Sequence, residues 1–244
     1  EQDEQAGTQK EGQNMEDKIM YQCCIFDLDG TIINTLHSLK KTVNETIKQF
    51  GYGPIDEYHV RYFVGDGYKK LVERTLVYCG DTELTHYEEA LTVYDEMFKK
   101  YCLYQMEPYA GMPDFLKMLK EKGIRIAVVT NKAHDRAVEC VETVYGPGFF
   151  DKITGEGKGM KCKPDPEGAL KTAEEFHVEP SECLYFGDTN TDMKTGINAG
   201  MDTVGVLWGF RDREELEAFK PKYIISHPDE IRSLFNETSE NSPA

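Results

Sequence analysis

The chain has 244 residues, 39% hydrophobic and 30% charged, enough for one large domain or two small ones with a sizeable core. Its net charge of −16 argues against broad nucleic-acid binding and against docking on anionic lipid, since both need clustered Lys and Arg. No apolar run approaches the roughly 18 residues of a membrane span, and seven cysteines without a CxxC pair read as reduced thiols of a cytoplasmic protein.

Residues 1–19 read as a disordered acidic tail. Positions 1–18 hold six acids, two lysines and no aromatic residue, and the polar stretch Glu1–Asn14 does not read as a secretory signal. The run Tyr21–Phe26 is mostly apolar and breaks at Asp27-Leu28-Asp29-Gly30-Thr31, the pattern of a short buried strand. From Thr35 to Tyr104 only helical spacing is found. One stripe holds Leu36, Leu39, Val43, Ile47 and Phe50, a second Tyr68, Leu71, Val72, Thr75 and Leu76, and a third Leu91, Tyr94, Phe98, Tyr101 and Cys102.

After that segment strands and helices alternate. Pro113 and Gly123 bracket a helix over 114–122. A strand follows at Ile124–Val129, then a helix over 134–145 with Ala137, Val138, Val141 and Tyr145 on one face. A weaker strand is expected at Phe149–Ile153, and a helix over 166–177 with Asp165 available as its N-cap. Cys183–Phe186 is the next strand, 191–199 a helix stopped by Gly200, and Thr203–Leu207 and Tyr223–Ile225 the last strands. Residues 236–244 read as a flexible end. The expected fold is α/β: a Rossmann-like doubly wound parallel sheet built from residues 20–34 and 105–235, with an all-helical lobe, 35–104, inserted after the first strand. Ligands of such sheets bind beyond the carboxyl ends of the strands.

Four polar clusters fall at those ends. Asp27 and Asp29 would face opposite ways on a strand, so they converge only if the chain turns, which Gly30 permits. A converging pair suits a nucleophile with a proton carrier, or a Mg²⁺ site, and a polar turn closing the strand has the same spelling. Thr130 and Asn131 can donate to phosphoryl oxygens or cap the helix starting near Ala133. Lys163, held before Pro164, can neutralise a phosphate or crowded carboxylates, or lie in solvent. Asp188 closes a strand, and Asp192 falls in a first helical turn, where the dipole favours a carboxylate in any case. Taken together, the carboxylates would repel one another in one crevice unless a divalent cation lies among them.

With these four clusters in this order, the chain resembles the haloacid dehalogenase-like hydrolase superfamily over residues 20–235. The helical lobe corresponds to the cap of its C1-capped branch, and within that branch the resemblance is to the phosphoglycolate phosphatase-like members. Val64-Gly65-Asp66-Gly67, Lys163-Pro164-Asp165-Pro166 and Trp208-Gly209-Phe210 carry that finer likeness. One departure is Asn34, where relatives carry Asp, which implies altered bonding at the cap hinge. The hinges themselves are expected near Ile33–Thr35 and Gln105–Gly111.

The resemblance implies an enzyme, a Mg²⁺-dependent phosphatase. Asp27 is the nucleophile that becomes an aspartyl-phosphate, and Asp29 is the acid and then the base. Mg²⁺ would be held by Asp27, the main-chain carbonyl of Asp29, and Asp188. The phosphoryl oxygens would meet Leu28, Thr130, Asn131 and Lys163, and Asp192 would orient Lys163 or a metal-bound water. A cis Lys163–Pro164 bond is implied as well. Gly65 and Gly67 of the cap would approach the substrate, and the cap alone would discriminate among esters. Arg61, Lys69 or Lys70 would take a substrate carboxylate, or be solvated surface charges. The best-fitting substrate is a small phosphorylated metabolite, 2-phosphoglycolate. Pyrophosphate, a nucleoside monophosphate, a sugar phosphate, a β-phosphoglucomutase-like mutase reaction and a catalytically silent binding protein are the alternatives. No nucleic acid or membrane is expected as partner, and the chain is expected to be a monomer or homodimer.

Overall fold

The structure, a computed structural model, describes residues 21–157 and 159–235, so the expectations for 1–19 and 236–244 lie outside the described residues. In chain order it runs β1 (Cys23–Phe26), β2 (Ile33–Asn34), α1 (Leu36–Lys48), α2 (Glu57–Phe63), α3 (Tyr68–Tyr78), α4 (Tyr87–Tyr101), β3 (Glu107–Pro108) and α5 (Met112–Glu121). It continues with β4 (Arg125–Ala133), α6 (His134–Tyr145), β5 (Lys152–Glu156), α7 (Glu167–Phe176), β6 (Cys183–Gly187), α8 (Asn190–Asn198), β7 (Asp202–Val206), α9 (Arg213–Glu217) and β8 (Tyr223–Ile225). Turns of 3₁₀ helix lie at Pro180–Glu182 and Pro228–Phe235.

Six strands form one sheet in the order β5-β4-β1-β6-β7-β8, every pairing parallel. The order runs outward from β1 in both directions, so β1 sits at the switch point and Asp27 emerges there. Both faces are covered, which is why the strands read as near-continuous apolar runs. Cys24 and Phe26 point to one side, where Phe115, Leu116 and Leu119 of α5 and Ala137, Cys140 and Val141 of α6 pack. Cys23 and Ile25 point to the other, against Ala169 and Ala173 of α7 and Tyr185 of β6. Phe26 and Phe186 stack with ring centroids 4.5 Å apart, joining β1 to β6 beneath the site.

Helices α1 to α4 carry their own core, in which Leu39, Val43, Ile47, Leu71, Val72, Leu76, Tyr94 and Phe98 pack together. These are the stripes seen in the sequence, spaced at the helical period. Phe210, from the loop after β7, is buried in this second core although it belongs to the sheet's half of the chain.

Three local features differ from the sequence expectations. The fifth strand begins at Lys152 and not at Phe149, because Phe150 turns inward to pack edge-on against Phe26 and Tyr145. Helix α2 and the two-residue ribbon β2–β3 were not foreseen: α2 buries only Val60, and the ribbon is too short for a period. The ribbon pairs Ile33 with Pro108 and Asn34 with Glu107, tying together the two crossings between the lobes. The N-cap of α7 is Pro166, and Asp165 instead accepts the Glu167 amide at 3.0 Å.

The packing of α8 on the sheet yields a stability prediction. A Cβ placed on Gly196 would lie 2.4 Å from Thr203 Cγ2 and 3.0 Å from Tyr185 Cβ, too close for the helix to keep its seat. Gly196→Ala is expected to cost about 1–3 kcal/mol by overpacking. Urea unfolding measures this, and an unchanged or raised midpoint would refute such close helix–sheet contact.

Candidate active site

The turn after β1 builds the floor of the site. The Asp27 amide donates to Phe186 O at 2.9 Å, and the amides of Thr31, Ile32 and Ile33 all converge on Leu28 O. Gly30 supports the turn at φ +87, and a Cβ there would lie 2.3 Å from Asp188 Oδ2. Only glycine fits on both counts. Asp27 and Asp29 therefore do converge on one cavity of about 170 Å³. Leu28 is fully buried and is not among the cavity's lining residues.

Lys163 sits at the centre. Its ammonium donates to Asp27 Oδ1 at 2.6 Å and to Asp192 Oδ1 at 2.7 Å, and all three side chains are buried. The Lys163–Pro164 bond is cis. Asn131 holds residue 163 from both sides of its backbone: it accepts the Lys163 amide at 2.7 Å and donates to the Lys163 carbonyl at 3.1 Å. Its amide group also reaches Gly65 O at 3.4 Å. Asn131 is thus a brace for the lysine and not a helix cap, and α6 starts without a side-chain cap. Asp192 is fixed by a capping box with Thr189, whose amide and hydroxyl donate to Asp192 Oδ2 at 3.0 and 2.6 Å.

Asp188 is sealed under the first turn. Its Oδ1 accepts the Thr31 hydroxyl at 3.0 Å and its Oδ2 the Phe210 amide at 2.7 Å. Burial, then the charges of Asp192 and Asp27, push its carboxyl well above the ordinary range. Asp27 is pushed up to about 7 by burial and by Asp192, with Lys163 opposing. Burial would lower the Lys163 ammonium, but Asp192 and Asp27 outweigh it and hold it well above its usual value. Carboxylate oxygens of Asp27, Asp188 and Asp192 lie within 4.8 Å of one another. Three buried acids around one ammonium, offering hard oxygen donors, fit a small divalent cation of the Mg²⁺ type. Asp192 has both oxygens engaged, by Lys163 and Thr189, and Asp188 both, by Thr31 and the Phe210 amide, whereas Asp27 is held through Oδ1.

Asp29 stands apart from this cluster. The Thr35 hydroxyl donates to its Oδ1 at 2.6 Å, and the buried Lys132 ammonium lies 2.9 Å from the same atom. Thr35 begins the crossing into the helical lobe, so that crossing touches the acid directly. Asn34 accepts the Leu36 amide at 3.2 Å, bonding that turn locally. Thr130 is buried on the cavity wall, with its hydroxyl accepting the Lys132 amide at 3.2 Å.

The helical lobe covers the crevice. Gly65 and Gly67 line it, together with Leu39, Val64, Tyr68, Leu71, Tyr94 and Phe98. Arg61, Lys69 and Lys70 do not. Arg61 donates to Phe210 O at 2.8 Å, Lys70 pairs with Glu73, and Lys69 lies outside over the Tyr68 ring. The cavity's cations are Lys132, Arg136 and Lys163, all from the sheet's half of the chain. Sequence reasoning missed Lys132, Arg136 and Tyr94. A residue two positions after Thr130 on the same strand was the available signal for Lys132. Tyr94 was read only as part of a core stripe.

The pair of ion bonds at Lys163 gives a second prediction. Lys163→Met strands two buried carboxylates, so the loss of stability at pH 7 is expected to be about 3–5 kcal/mol. Chemical denaturation in metal-free buffer measures it. A variant as stable as the parent would show that Asp27 and Asp192 do not depend on this ammonium.

The haloacid dehalogenase-like hydrolase family pattern matches residues 24–206. The phosphoglycolate phosphatase of Aquifex aeolicus (strain VF5) is 31% identical over 219 residues, covering 87% of this chain and 95% of that protein. A protein of Bacillus mycoides (strain KBAB4) named pyrophosphatase PpaX is 28% identical, covering 87% and 95%. A crystal structure from Lactobacillus delbrueckii subsp. bulgaricus, provisionally named a phosphoglycolate phosphatase, superposes with a TM-score of 0.83 at 27% identity, over 89% of this chain and all of that one. With the four clusters gathered at one crevice and the pattern matched across both lobes, the chain belongs to the haloacid dehalogenase-like hydrolases, with its likeness on the phosphoglycolate phosphatase side of that family.

Proposed function

We propose that the chain is a Mg²⁺-dependent phosphomonoesterase that works through an aspartyl-phosphate on Asp27, with 2-phosphoglycolate as its substrate. The observation that carries this reading is the placement of the two aspartates. Asp27 is buried against Lys163, while Asp29, two residues on, is held separately by Thr35 and Lys132. This separation supports a reading in which one aspartate attacks and the other moves a proton.

The steps follow from those positions. Lys163 and Thr130 bind the phosphoryl oxygens, and Lys163 fixes Asp27 Oδ1, leaving Oδ2 to attack phosphorus. As the new P–O bond forms, the bond to the leaving oxygen breaks, and Asp29 gives that oxygen its proton. Asp29 then takes a proton from water, whose oxygen attacks phosphorus and releases phosphate from Asp27. Asp27 and Asp188, with the main-chain carbonyl of Asp29, would hold Mg²⁺, which supplies positive charge to the phosphoryl oxygens and offsets the crowded carboxylates. The covering helices exclude water and so strengthen each of these contacts. No membrane-crossing helix is found among the described residues, and a cavity of about 170 Å³ suits a small ester.

Purified enzyme is expected to turn over p-nitrophenyl phosphate with Mg²⁺ and to lose that activity in EDTA. Asp27→Asn should lower turnover by several orders of magnitude and yield no acid-stable phosphoenzyme. Near-normal turnover in that variant, with deamidation excluded by mass spectrometry, would overturn the nucleophile. A panel of phosphoesters compared by kcat/KM ranks 2-phosphoglycolate against pyrophosphate, which would set its second phosphate where the carboxylate is expected. A higher kcat/KM for pyrophosphate would replace the substrate named here.

For the proton carrier the comparison is internal. Asp29→Asn is expected to slow phosphoenzyme formation from an alkyl phosphate by about 10²–10⁴-fold, and less from p-nitrophenyl phosphate, whose leaving group needs little protonation. Equal losses in rapid quench would remove Asp29 from that role.

A further inference from the structure

The cavity has two unlike ends. Asp27, Thr130 and Lys163 form the phosphoryl end. Lys132, Arg136 and Tyr94 line the same cavity, with the Lys132 ammonium 2.9 Å from Asp29. The ring of Tyr94 is fixed: it stacks on Tyr68 with centroids 6.0 Å apart and on Phe98 at 5.6 Å, with interplanar angles of 17° and 15°. Tyr94 is only 3% exposed, and among the described residues its hydroxyl has no hydrogen-bond partner. Burial and then the charge of Asp29 raise its pKa, so the hydroxyl is a donor at neutral pH. The hydroxyl is not among the fully buried polar atoms left without a partner, so it opens onto the cavity its side chain lines and is available to donate to a ligand there.

Its chemistry follows from its neighbours. Arg136 pairs with Glu139 but has five donors, so it keeps others for the cavity it lines. The Lys132 ammonium lies 2.9 Å from Asp29 Oδ1 and 4.9 Å from the centre of the Phe98 ring. An added anion here would not face an uncompensated carboxylate. The remaining acid on the wall, Asp95, is 59% exposed and paired with Lys99, placing it at the mouth.

The leaving oxygen must lie against Asp29 to receive its proton, so the first atoms beyond it fall at this second end. We infer that Tyr94 and Arg136 form an acid-reading subsite, taking a carboxylate that lies within two carbons of the ester oxygen. Tyr94 donates its hydroxyl, Arg136 its guanidinium, and Lys132 balances Asp29 beside them. The inference rests on the phosphomonoesterase reading above. It moves recognition of the acid from the cap's outer cations to one cap tyrosine and one core arginine. Because Leu39, Leu71 and Phe98 form the rest of the wall, an ester lacking the acid leaves these polar groups unpaired, and a site built that way discriminates strongly.

The test is a binding ratio. In an Asp27→Asn background with Mg²⁺, titration calorimetry compares 2-phosphoglycolate with ethyl phosphate, which keeps the phosphoryl group and the two-carbon chain and lacks only the carboxylate. The expected preference for 2-phosphoglycolate is about tenfold or more, and Tyr94→Phe or Arg136→Met should each shrink the ratio of the two Kd values by about tenfold. Tyr94→Phe preserves the ring stack, so it carries the test should Arg136→Met unfold. A parent ratio near one, or a ratio untouched by Tyr94→Phe, overturns the subsite. Turnover of p-nitrophenyl phosphate by the unaltered enzyme separates the two readings. Turnover with a flat ratio leaves the phosphatase and removes the subsite. No turnover with a ratio that collapses in Tyr94→Phe leaves the subsite and removes the reaction.

Discussion

The Lys163 ammonium between Asp27 and Asp192 is the contact on which the rest of this structure depends. Three carboxylates, Asp27, Asp188 and Asp192, are buried in one crevice, and a single ammonium touches two of them. Desolvated charge of that density is stable only where geometry is fixed and other hydrogen bonds take up the remaining lone pairs. The chain supplies both. Asn131 grips the backbone of residue 163 on either side, and the capping box of α8 fixes Asp192. Burial, and then the neighbouring carboxylates, raises Asp27 and Asp188, and the excess of acids over bases makes the crevice a place for a cation.

The same bonds bring the covering lobe into register with the chemistry. Phe210 shows how. Its amide holds Asp188, its ring is buried in the core of the helical lobe, and its carbonyl accepts from Arg61 of α2. Next to it, Arg211 donates to the carbonyls of Arg61, Tyr62 and Val64 at 2.6, 3.1 and 2.7 Å. Those carbonyls lie at the C-terminal end of α2, where they have no partner within the helix and the dipole is negative, so a guanidinium is the natural cap. Asp66 adds a bond to the Thr191 hydroxyl at 2.7 Å, and Gly65 one to Asn131. Each bond is worth only about 0.5–1.5 kcal/mol net. Their value is positional: the loop carrying Gly65 and Gly67 is seated on the elements that carry Asn131, Asp188 and Asp192.

How much of this could be read in the sequence divides along physical lines. The sheet was legible because strands buried on both faces become continuous apolar runs, and the helices because each buries one stripe. Asp27, Asp29 and Asp188 were legible because each stands where a strand stops, Lys163 because Pro164 follows it, and Asp192 because it falls in the first turn of a helix. Features that rest on main-chain partners far away in sequence were not. Arg211 bonds carbonyls about 150 positions distant, and nothing in its neighbourhood distinguishes it from a surface arginine. Helix α2 buries one residue, too few for a period, although Asp56 does accept the His59 amide as its N-cap. Lys132 was visible as a letter but not as a buried ion, since lysine is ordinarily exposed. Phe149 and Phe150 misled because two adjacent aromatics in a short run look like a strand, whereas one of them packs as a plug.

Tyr94 marks the deeper limit. Its stripe on α4, with Phe98, is the pattern of a core helix, and it does serve the core of the lobe. The same stripe also forms the wall of the cavity, because the helix lies where its buried face meets the crevice. Helical period reports that a side chain is inside and is silent on whether the inside is packed protein or space for a ligand. What separates the two is the hydroxyl. A packed core would have used phenylalanine or given the tyrosine an acceptor. Division of labour in the site follows from this. The sheet supplies charges, which must be held rigidly because their desolvation is costly. The helical lobe supplies apolar surface that excludes water and makes those charges strong, and adds one neutral donor, which costs little to bury beside Asp29. A charged side chain at that position on α4 would have to be desolvated there; a tyrosine offers a hydrogen bond without that penalty.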